Sequence, residues 1–389
     1  MTASDSRSSA APHRFAAGVY ADRVARAAAL AAAAGLSGIV VTPGPDLRYL
    51  VGAQVDTFER ITALVIPAVG DAVVVAPRME LAALRESALA EIGIAVRDWV
   101  DGDDPYGLIV AALTMPATTP VTRPGRVGVS DAMPALHAVP LADRLDIRLE
   151  LATGVLRELR MIKDPSEIEA LRRAGAAIDA VHRQVPGWVR AGRTERAVAA
   201  DIESAMLAAG HTKAEFIIVG SGPNGADPHH EVSDRVIEDG DVVVVDIGGP
   251  VTPGYNSDST RTYVVGAAAA EVADTIATLE QAQRAAVEAV RPGVTAESID
   301  AAARAVLAGA GFAEAFVHRT GHGIGLSVHE EPYIVAGNDL VLREGMAFSI
   351  EPGVYFPGGW GARIEDIVIV TADGCESVNN TDHGLTSAG

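Results

Sequence analysis

Four consecutive valines, 242 to 245, run straight into an aspartate. In "DVVVVDIGGPVTPGYNSDSTRTYVVG" (241–266) the valine run reads as a buried strand that ends in a carboxylate. Aspartate is depleted in strands and costly to bury without a partner. A Gly/Pro turn follows, and Asp258 starts the return strand, so a hairpin would bring Asp246 and Asp258 together, 12 positions apart in sequence. Either the two acids cap turns or pair with Arg261, or they share a ligand. A second pair repeats the theme. Glu351 ends the apolar strand of "MAFSIEPGVYF" (346–356), and Glu365 lies inside the next one, "ARIEDIVIV" (362–370), between Ile364 and Ile367. A solvated acid would have polar neighbours there.

Nitrogen donors come from "HRTGHGIGLSVHEEPY" (318–333), which holds His318, His322 and His329 and has glycines at 321, 323 and 325. Each glycine costs a helix about 1 kcal/mol relative to alanine. Glycine permits close approach and positive φ, so the run predicts a tight turn that brings imidazoles towards a ligand. The plainer alternative is a glycine loop with incidental histidines. Taken with the acids, His322 completes a set of two aspartates, one histidine and two glutamates, all on strand-like segments. That hard, oxygen-rich inventory suits manganese, cobalt, iron or zinc rather than a thiolate zinc centre. Four carboxylates exceed the need of one cation and suit two ions about 3.5–4 Å apart.

A chain of 389 residues predicts two domains. From Tyr20 to about Leu151, alanine-rich helices alternate with β-branched runs such as "SGIVVTP", "ITALVIP" and "DAVVVAP". This is the pattern of an α/β domain with a mostly parallel sheet. The junction falls in "VLRELRMIKDPSEIEALRRAG" (155–175), where Asp164-Pro165 breaks the pattern and Ser166 is the expected N-cap of a new helix. The expected division is a flexible tail over 1–15, an N-terminal domain over 16–158 and a second domain over 159–389. Within the second, "RAGRTERAVAADIESAMLAAG" (190–210) resembles "RPGVTAESIDAAARAVLAGAG" (291–311) at an offset of 101. Each copy has a glycine, a threonine that could cap, a helix, and then histidine-bearing β-type sequence. Two similar αβ halves about a pseudo-twofold axis, with the chemistry between them, are the expectation.

Charge and cysteine content exclude other classes. The formal net charge is −20, from 31 basic and 51 acidic residues, which argues against nucleic acid or an anionic membrane as partner. The longest apolar run (27–41) is shorter than the roughly 20 residues that span a bilayer. Cys375 is the only cysteine, which suits a reducing cytosol, and the N-terminus lacks the apolar core of a signal peptide. The expected location is cytoplasmic.

In sequence and in order, "DIGGPVTPGYNSDSTRT", "HRTGHGIGLSVHEEPY", "SIEPGVY" and "RIEDIVIV" resemble the pita-bread metallopeptidases: methionine aminopeptidase, aminopeptidase P and prolidase. The 155–175 junction and the domain before it look like the prolidase and aminopeptidase P branch. The fold implied is a creatinase/prolidase-like α/β N-terminal domain followed by an α+β pita-bread catalytic domain with pseudo-twofold αβ halves. By position, the resemblance makes Asp246, Asp258, His322, Glu351 and Glu365 ligands of two divalent ions, manganese foremost, with cobalt, iron or zinc as alternatives. It makes Glu351 the proton acceptor and His229, His318 and His329 the substrate-side residues, with His230 an ambiguous neighbour of His229. Arg363 would hold a carboxylate, either a substrate terminus on that side or the metal-binding acids themselves. It implies a homodimer that hydrolyses the bond before proline, as a dipeptidase or an aminopeptidase, through a hydroxide between the metals. One departure is an Asp246–Asp258 loop one residue longer than usual, at "GPVTPG". A creatinase-like metal-free hydrolase or a silent peptide-binding member would be expected to have lost ligands, and all five are present. A dinuclear phosphoesterase would want a basic pocket.

Overall fold

The computed structural model describes residues 13–56, 59–114 and 125–389. They form two compact units that divide between Arg160 and Met161. The tail expected over 1–15 lies, up to residue 12, outside the described residues.

Among the described residues the N-terminal unit is built on six strands: β1 (Gly38–Val41), β2 (Ala63–Pro67), β3 (Val73–Pro77), β4 (Ala95–Trp99), β5 (Val127–Val129) and β6 (Glu150–Leu151), in the order β4-β3-β2-β1-β5-β6. Helices α1 (Ala17–Ala33), α2 (Pro45–Val51), α3 (Leu81–Leu84), α4 (Pro105–Thr114), α5 (Ala135–Leu145) and α6 (Thr153–Met161) alternate with them. The sheet is mixed: β1–β5, β5–β6 and β3–β4 are parallel, but β2 runs against both β1 and β3. For β2 and β3 the reason is loop length. Only 68–72 separate β2 from β3, with Gly70 at φ 116°, and a parallel return needs a crossover of a dozen or more residues. Val40, Val65, Val75, Ile109 and Leu141 form the buried core of this unit.

The second unit opens with α7 (Pro165–His182), and its cap corrects the expectation of Ser166. Asp164 Oδ1 accepts from the backbone N–H of Ser166 (2.8 Å) and Glu167 (3.0 Å), while Glu167 Oε2 accepts from Asp164 N–H. This capping box leaves Pro165 at the first helical position, where its missing N–H is no loss. Next come α8 (Glu195–Ala208), β7 (Phe216–Ser221), β8 (Val242–Val251), β9 (Tyr255–Val265), α9 (Ala270–Ala289), α10 (Ala296–Gly309), β10 (Gly321–Gly323), β11 (Glu330–Ile334), β12 (Ala347–Ile350), β13 (Gly353–Phe356), β14 (Trp360–Arg363), β15 (Asp366–Val370), β16 (Cys375–Ser377) and β17 (Thr386–Ala388). They make sheets ordered β17-β9-β8-β7 and β11-β10-β12-β15-β16, with β13 and β14 a separate hairpin.

The faint repeat becomes exact hydrogen-bond correspondence. Gly192 N–H donates to Ile237 O, and Gly293 N–H to Leu342 O; Glu195 N–H donates to Arg235 O, and Ala296 N–H to Leu340 O. Arg196 to Ser233 and Glu297 to Asn338 follow the same pattern. The helix side keeps the offset of 101, and the loop side runs at 105. The capping threonines differ: Thr194 accepts from Ala197 N–H, whereas Thr295 makes no side-chain cap bond.

The end of α7 is pinned to β9 by His182, whose ring bonds the Tyr263 hydroxyl (3.1 Å) and the Ser259 carbonyl (3.0 Å). Burial, with the nearby Arg261 charge, holds this imidazole down at about 3. The folded form therefore keeps His182 neutral while the unfolded chain takes up its proton below about 6.5, so stability is lost as pH falls through that window. Between pH 7 and 5 the group should remove about 2 kcal/mol. Urea unfolding at the two pH values should show that share of the loss disappearing in His182→Gln; equal pH sensitivity in both proteins would refute it.

Candidate active site

Strand register puts the aspartates on one face. Asp246 stands opposite Thr260 across β8–β9, and Asp258 precedes Thr260 by two residues, so the two acids are diagonal neighbours. The hairpin differs from the sequence expectation. β8 continues through Gly248, Gly249 and Pro250 without a turn, and Asp258 sits within β9 rather than at its start. These glycines serve close packing: a Cβ on Gly248 would lie 2.5 Å from the Phe216 ring, and one on Gly249 would lie 2.5 Å from the Lys213 carbonyl oxygen. The chain reverses at 252–254, where Gly254 has φ 114°.

His322 is the middle residue of β10, held between β11 and β12. A strand thus replaces the expected turn. Neither Gly321 nor Gly323 has positive φ. A Cβ on Gly321 would overlap the Ser349 carbonyl, and one on Gly323 the Glu331 carbonyl. Glu351 directly follows β12. Glu365 lies between β14 and β15 rather than inside a strand, at an isolated bridge to Thr260 where the chain passes from pairing with β13 to pairing with β12. Its Oε2 accepts from the Thr260 hydroxyl (2.8 Å).

All five residues converge. One donor atom each from Asp258, His322 and Glu365 lies within 4.8 Å of the others. His322 Nε2 is 3.2 Å from Glu351 Oε1 and 3.7 Å from Asp258 Oδ2, and Glu351 also accepts from the Ser349 hydroxyl (3.0 Å). Asp246 Oδ2 takes Arg363 Nη2 (2.6 Å), while its Oδ1 is buried with no hydrogen-bond donor among the described residues. Arg261 does not neutralise the pair; it binds Asp366 (2.7 Å).

Charge balance tests whether this set suits cations. Burial first, then the Asp246 charge, pushes the Asp258 carboxyl well above the usual range. Burial and the Asp258 and Glu351 charges do the same to Glu365. Burial would raise Glu351 too, but the His322 hydrogen bond and charge bring it down to about 2. Acids so crowded cannot all ionise without added positive charge, and the orphaned Asp246 oxygen lacks a donor. Carboxylate oxygens and one imidazole are the donors that divalent cations take. The residues fit the group.

The accessory residues divide. His329 is exposed and packs its ring against His322 at 4.1 Å. Partial burial, then the charges of His322 and Arg319, lowers it to about 4, so it is neutral near pH 7. His229 is exposed, with its N–H on Asp227 Oδ1 (3.0 Å), and lies near enough to His329 for their charges to interact. His230 is engaged by Glu195 (2.8 Å).

The sequence profile of metallopeptidase family M24 matches residues 169–372, and that of the creatinase/prolidase N-terminal domain matches 23–162. The chain belongs to metallopeptidase family M24. It is 65% identical over 372 residues to a probable dipeptidase PepE of Mycobacterium tuberculosis, covering 96% of this chain and 97% of that one. A Xaa-Pro dipeptidase of Lactobacillus helveticus is 36% identical over 344 residues, covering 87% and 91%. The crystal structure of dipeptidase PepE from Mycobacterium ulcerans superposes with a TM-score of 0.92 at 61% identity, covering 96% and 99%. The chain is therefore a metallopeptidase of the two-domain type, with the α/β and pita-bread architecture that the sequence implied, and family membership carries divalent-metal use with it.

Within this M24 site, Arg363 meets one of the two carboxylates open to it, a metal-binding acid: only 3% exposed, it bonds Asp246 and donates from Nε to Thr260 Oγ1 (3.1 Å) and from Nη1 to the Tyr355 hydroxyl (2.6 Å). Sequence reading passed over Tyr355 altogether. Its hydroxyl also meets His318 Nε2 (2.9 Å), so hydrogen bonds run from Asp246 through Arg363 and Tyr355 to His318. The available signal was a tyrosine in a strand of small and apolar residues, where a buried hydroxyl needs a partner. Among the described residues no helix is long and apolar enough to cross a membrane.

Proposed function

We propose that this M24 enzyme hydrolyses the peptide bond preceding proline, as a dipeptidase or at the amino terminus of longer peptides. The observation that carries the reading is the convergence of Asp258, His322 and Glu365 donors within 4.8 Å, flanked by Asp246 and Glu351. The preference for proline is supported by the Lactobacillus helveticus relative, whose name is Xaa-Pro dipeptidase. Asp246, Asp258, His322, Glu351 and Glu365 would hold two divalent cations, manganese first among them. Bound there, such cations supply an acidified water as nucleophile near neutral pH.

The chain's own residues do the rest. Glu351, kept anionic beside His322 and steadied by the Ser349 hydroxyl, accepts the nucleophile's proton and returns it to the leaving nitrogen. His229 and His329, both exposed at the site, donate N–H bonds to the developing oxyanion or orient the peptide. Arg363 and Thr260 hold Asp246 and Glu365 in place. A prolyl nitrogen has no hydrogen to donate. A site specific for it favours ring packing and aims no acceptor at that nitrogen.

Ala-Pro and Ala-Ala provide the test, with Ala-Pro-Ala separating dipeptidase from aminopeptidase. kcat/KM should favour Ala-Pro by roughly tenfold or more. Chelation should abolish turnover, and added manganese should restore it. Equal rates on the two dipeptides would remove the proline assignment, and full turnover in metal-free protein would remove the metal assignment.

A further inference from the structure

We infer that Glu195, the first residue of α8, is a positioning residue for His229: its buried carboxylate ties together the segment 221–233 that carries this histidine. The inference rests on the substrate-side role proposed for His229. Glu195 is fully buried, yet among the described residues no lysine or arginine bonds it and no metal-site residue touches it; Arg235 lies near enough only for its charge to be felt. Its Oε1 accepts from Ser221 N–H (2.9 Å), Ser221 Oγ (2.7 Å) and Asn224 Nδ2 (3.0 Å). Its Oε2 accepts from His230 Nε2 (2.8 Å), Ser233 N–H (3.1 Å) and Ser233 Oγ (2.6 Å). These are the entry to the segment, its single 3-10 turn, the neighbour of His229 and the exit.

The segment has little else to define it. Between Ser221, the last residue of β7, and Ser233, whose carbonyl takes Arg196 N–H, the turn at Gly222–Ala226 is its only helix or strand, so no ladder sets the path of 227–232. Two contacts then relate it to the acids. Gly225 packs on the backbone of Gly361 in β14, and Arg363 Nη1 reaches Pro228 O (3.4 Å) while its Nη2 holds Asp246. Burial would raise the Glu195 carboxyl, but its donors, led by Ser233, bring it down to about 2, so it is an anion near pH 7. A charged acceptor makes each of these bonds stronger than its neutral counterpart.

The internal repeat separates this role from mere folding. The position that matches Glu195 in the other half is Ala296, and the same backbone bonds form there without a carboxylate. In that half a different acid does the comparable work. Buried Asp300 accepts from Thr320 N–H and Oγ1, and from Arg304, which reaches the His318 carbonyl. Each half thus has a buried acid, outside the five candidate ligands, that grips its own histidine segment.

The test is a double-mutant cycle on the metal-loaded enzyme, with kcat, KM and metal content measured on an Ala-Pro substrate. Glu195→Gln puts an amide NH2 against donors and should lower kcat roughly 10- to 100-fold with both ions retained. His229→Ala should lower kcat as well. The double variant should be no worse than His229→Ala alone, because the two act through one group. Losses that multiply, unchanged kcat in Glu195→Gln, or loss of metal in that variant would overturn the inference. If Glu195→Gln does not fold, Ser233→Ala replaces it in the cycle with the same expected non-additivity. Wild-type kcat in His229→Ala would instead overturn the role given to His229, and the inference with it.

Discussion

Asp258→Asn should lower kcat/KM roughly a thousandfold or more, a loss of several kcal/mol of transition-state stabilisation, and should act on stability with opposite signs in the two metal states. Asp258 is buried, and burial with the Asp246 charge already opposes its ionisation. Removing that charge relieves like-charge crowding, so the melting temperature of the metal-stripped variant should equal or exceed that of the stripped wild type. Adding manganese should raise the wild-type melting temperature and leave the variant nearly unmoved, since an amide is a weaker ligand than a carboxylate. Binding to the folded state is what links metal to stability. His329→Ala is the companion measurement: it should keep both ions by elemental analysis and lose turnover, because its ring meets His322 edge-on without being needed in the donor cluster. If the His329 variant were the one that lost metal, or Asp258→Asn kept both ions, the ligand set would be wrong.

Gly321→Ala should be nearly as damaging without altering a single functional group. The added methyl would overlap the carbonyl of Ser349, which is backbone and cannot swing aside. β10 and β12 would have to part. The bonds then strained are His322 N–H to Ser349 Oγ (2.9 Å) and Glu351 N–H to Thr320 O (2.8 Å), which set the positions of two candidate ligands. Forcing a methyl into packed structure costs about 1–3 kcal/mol or more, and a shift of about 1 Å at the reacting groups costs roughly a hundredfold in rate. Gly309→Ala, at the end of α10 with no atom near its Cβ position, is the control and should be silent. Calorimetry and kcat on the pair decide the matter: a Gly321→Ala enzyme with native turnover would show that β10 does not need its glycine.

These two sites mark how far the chain could be read without coordinates. The acids were legible because each breaks a local pattern: a carboxylate at the end of four valines, or between isoleucines, has to be explained within its own ten residues. The repeat was legible because helix and cap spacing survive as an offset of 101, which the paired backbone bonds of Gly192 and Gly293 then display. The glycines were misread as turns at both 248–249 and 321–323. Their cause is not local: Phe216, Lys213, Ser349 and Glu331 come so close that no side chain fits. The choice of Asp164 over Ser166 as cap likewise turned on a reciprocal bond with Glu167 that spacing alone left open.

Roles that depend on partners were the hardest to assign. Arg363 is open in sequence between a substrate carboxylate and the metal-binding acids until Asp246, 117 positions away, is seen against it, and Tyr355 acquires meaning only between Arg363 and His318. Glu195 reads in sequence as an ordinary first-turn acid favoured by the helix dipole, and only the fold buries it under six donors from 221–233. The sequence by itself determined which atoms are present to bind cations and how the chain divides into repeating units, because donor chemistry and periodicity are properties of neighbouring residues. Which of those atoms face one another, and which charged groups are consumed in holding others still, was decided by the tertiary structure, because hydrogen bonds and like-charge crowding act over a few ångströms of space whatever the distance along the chain.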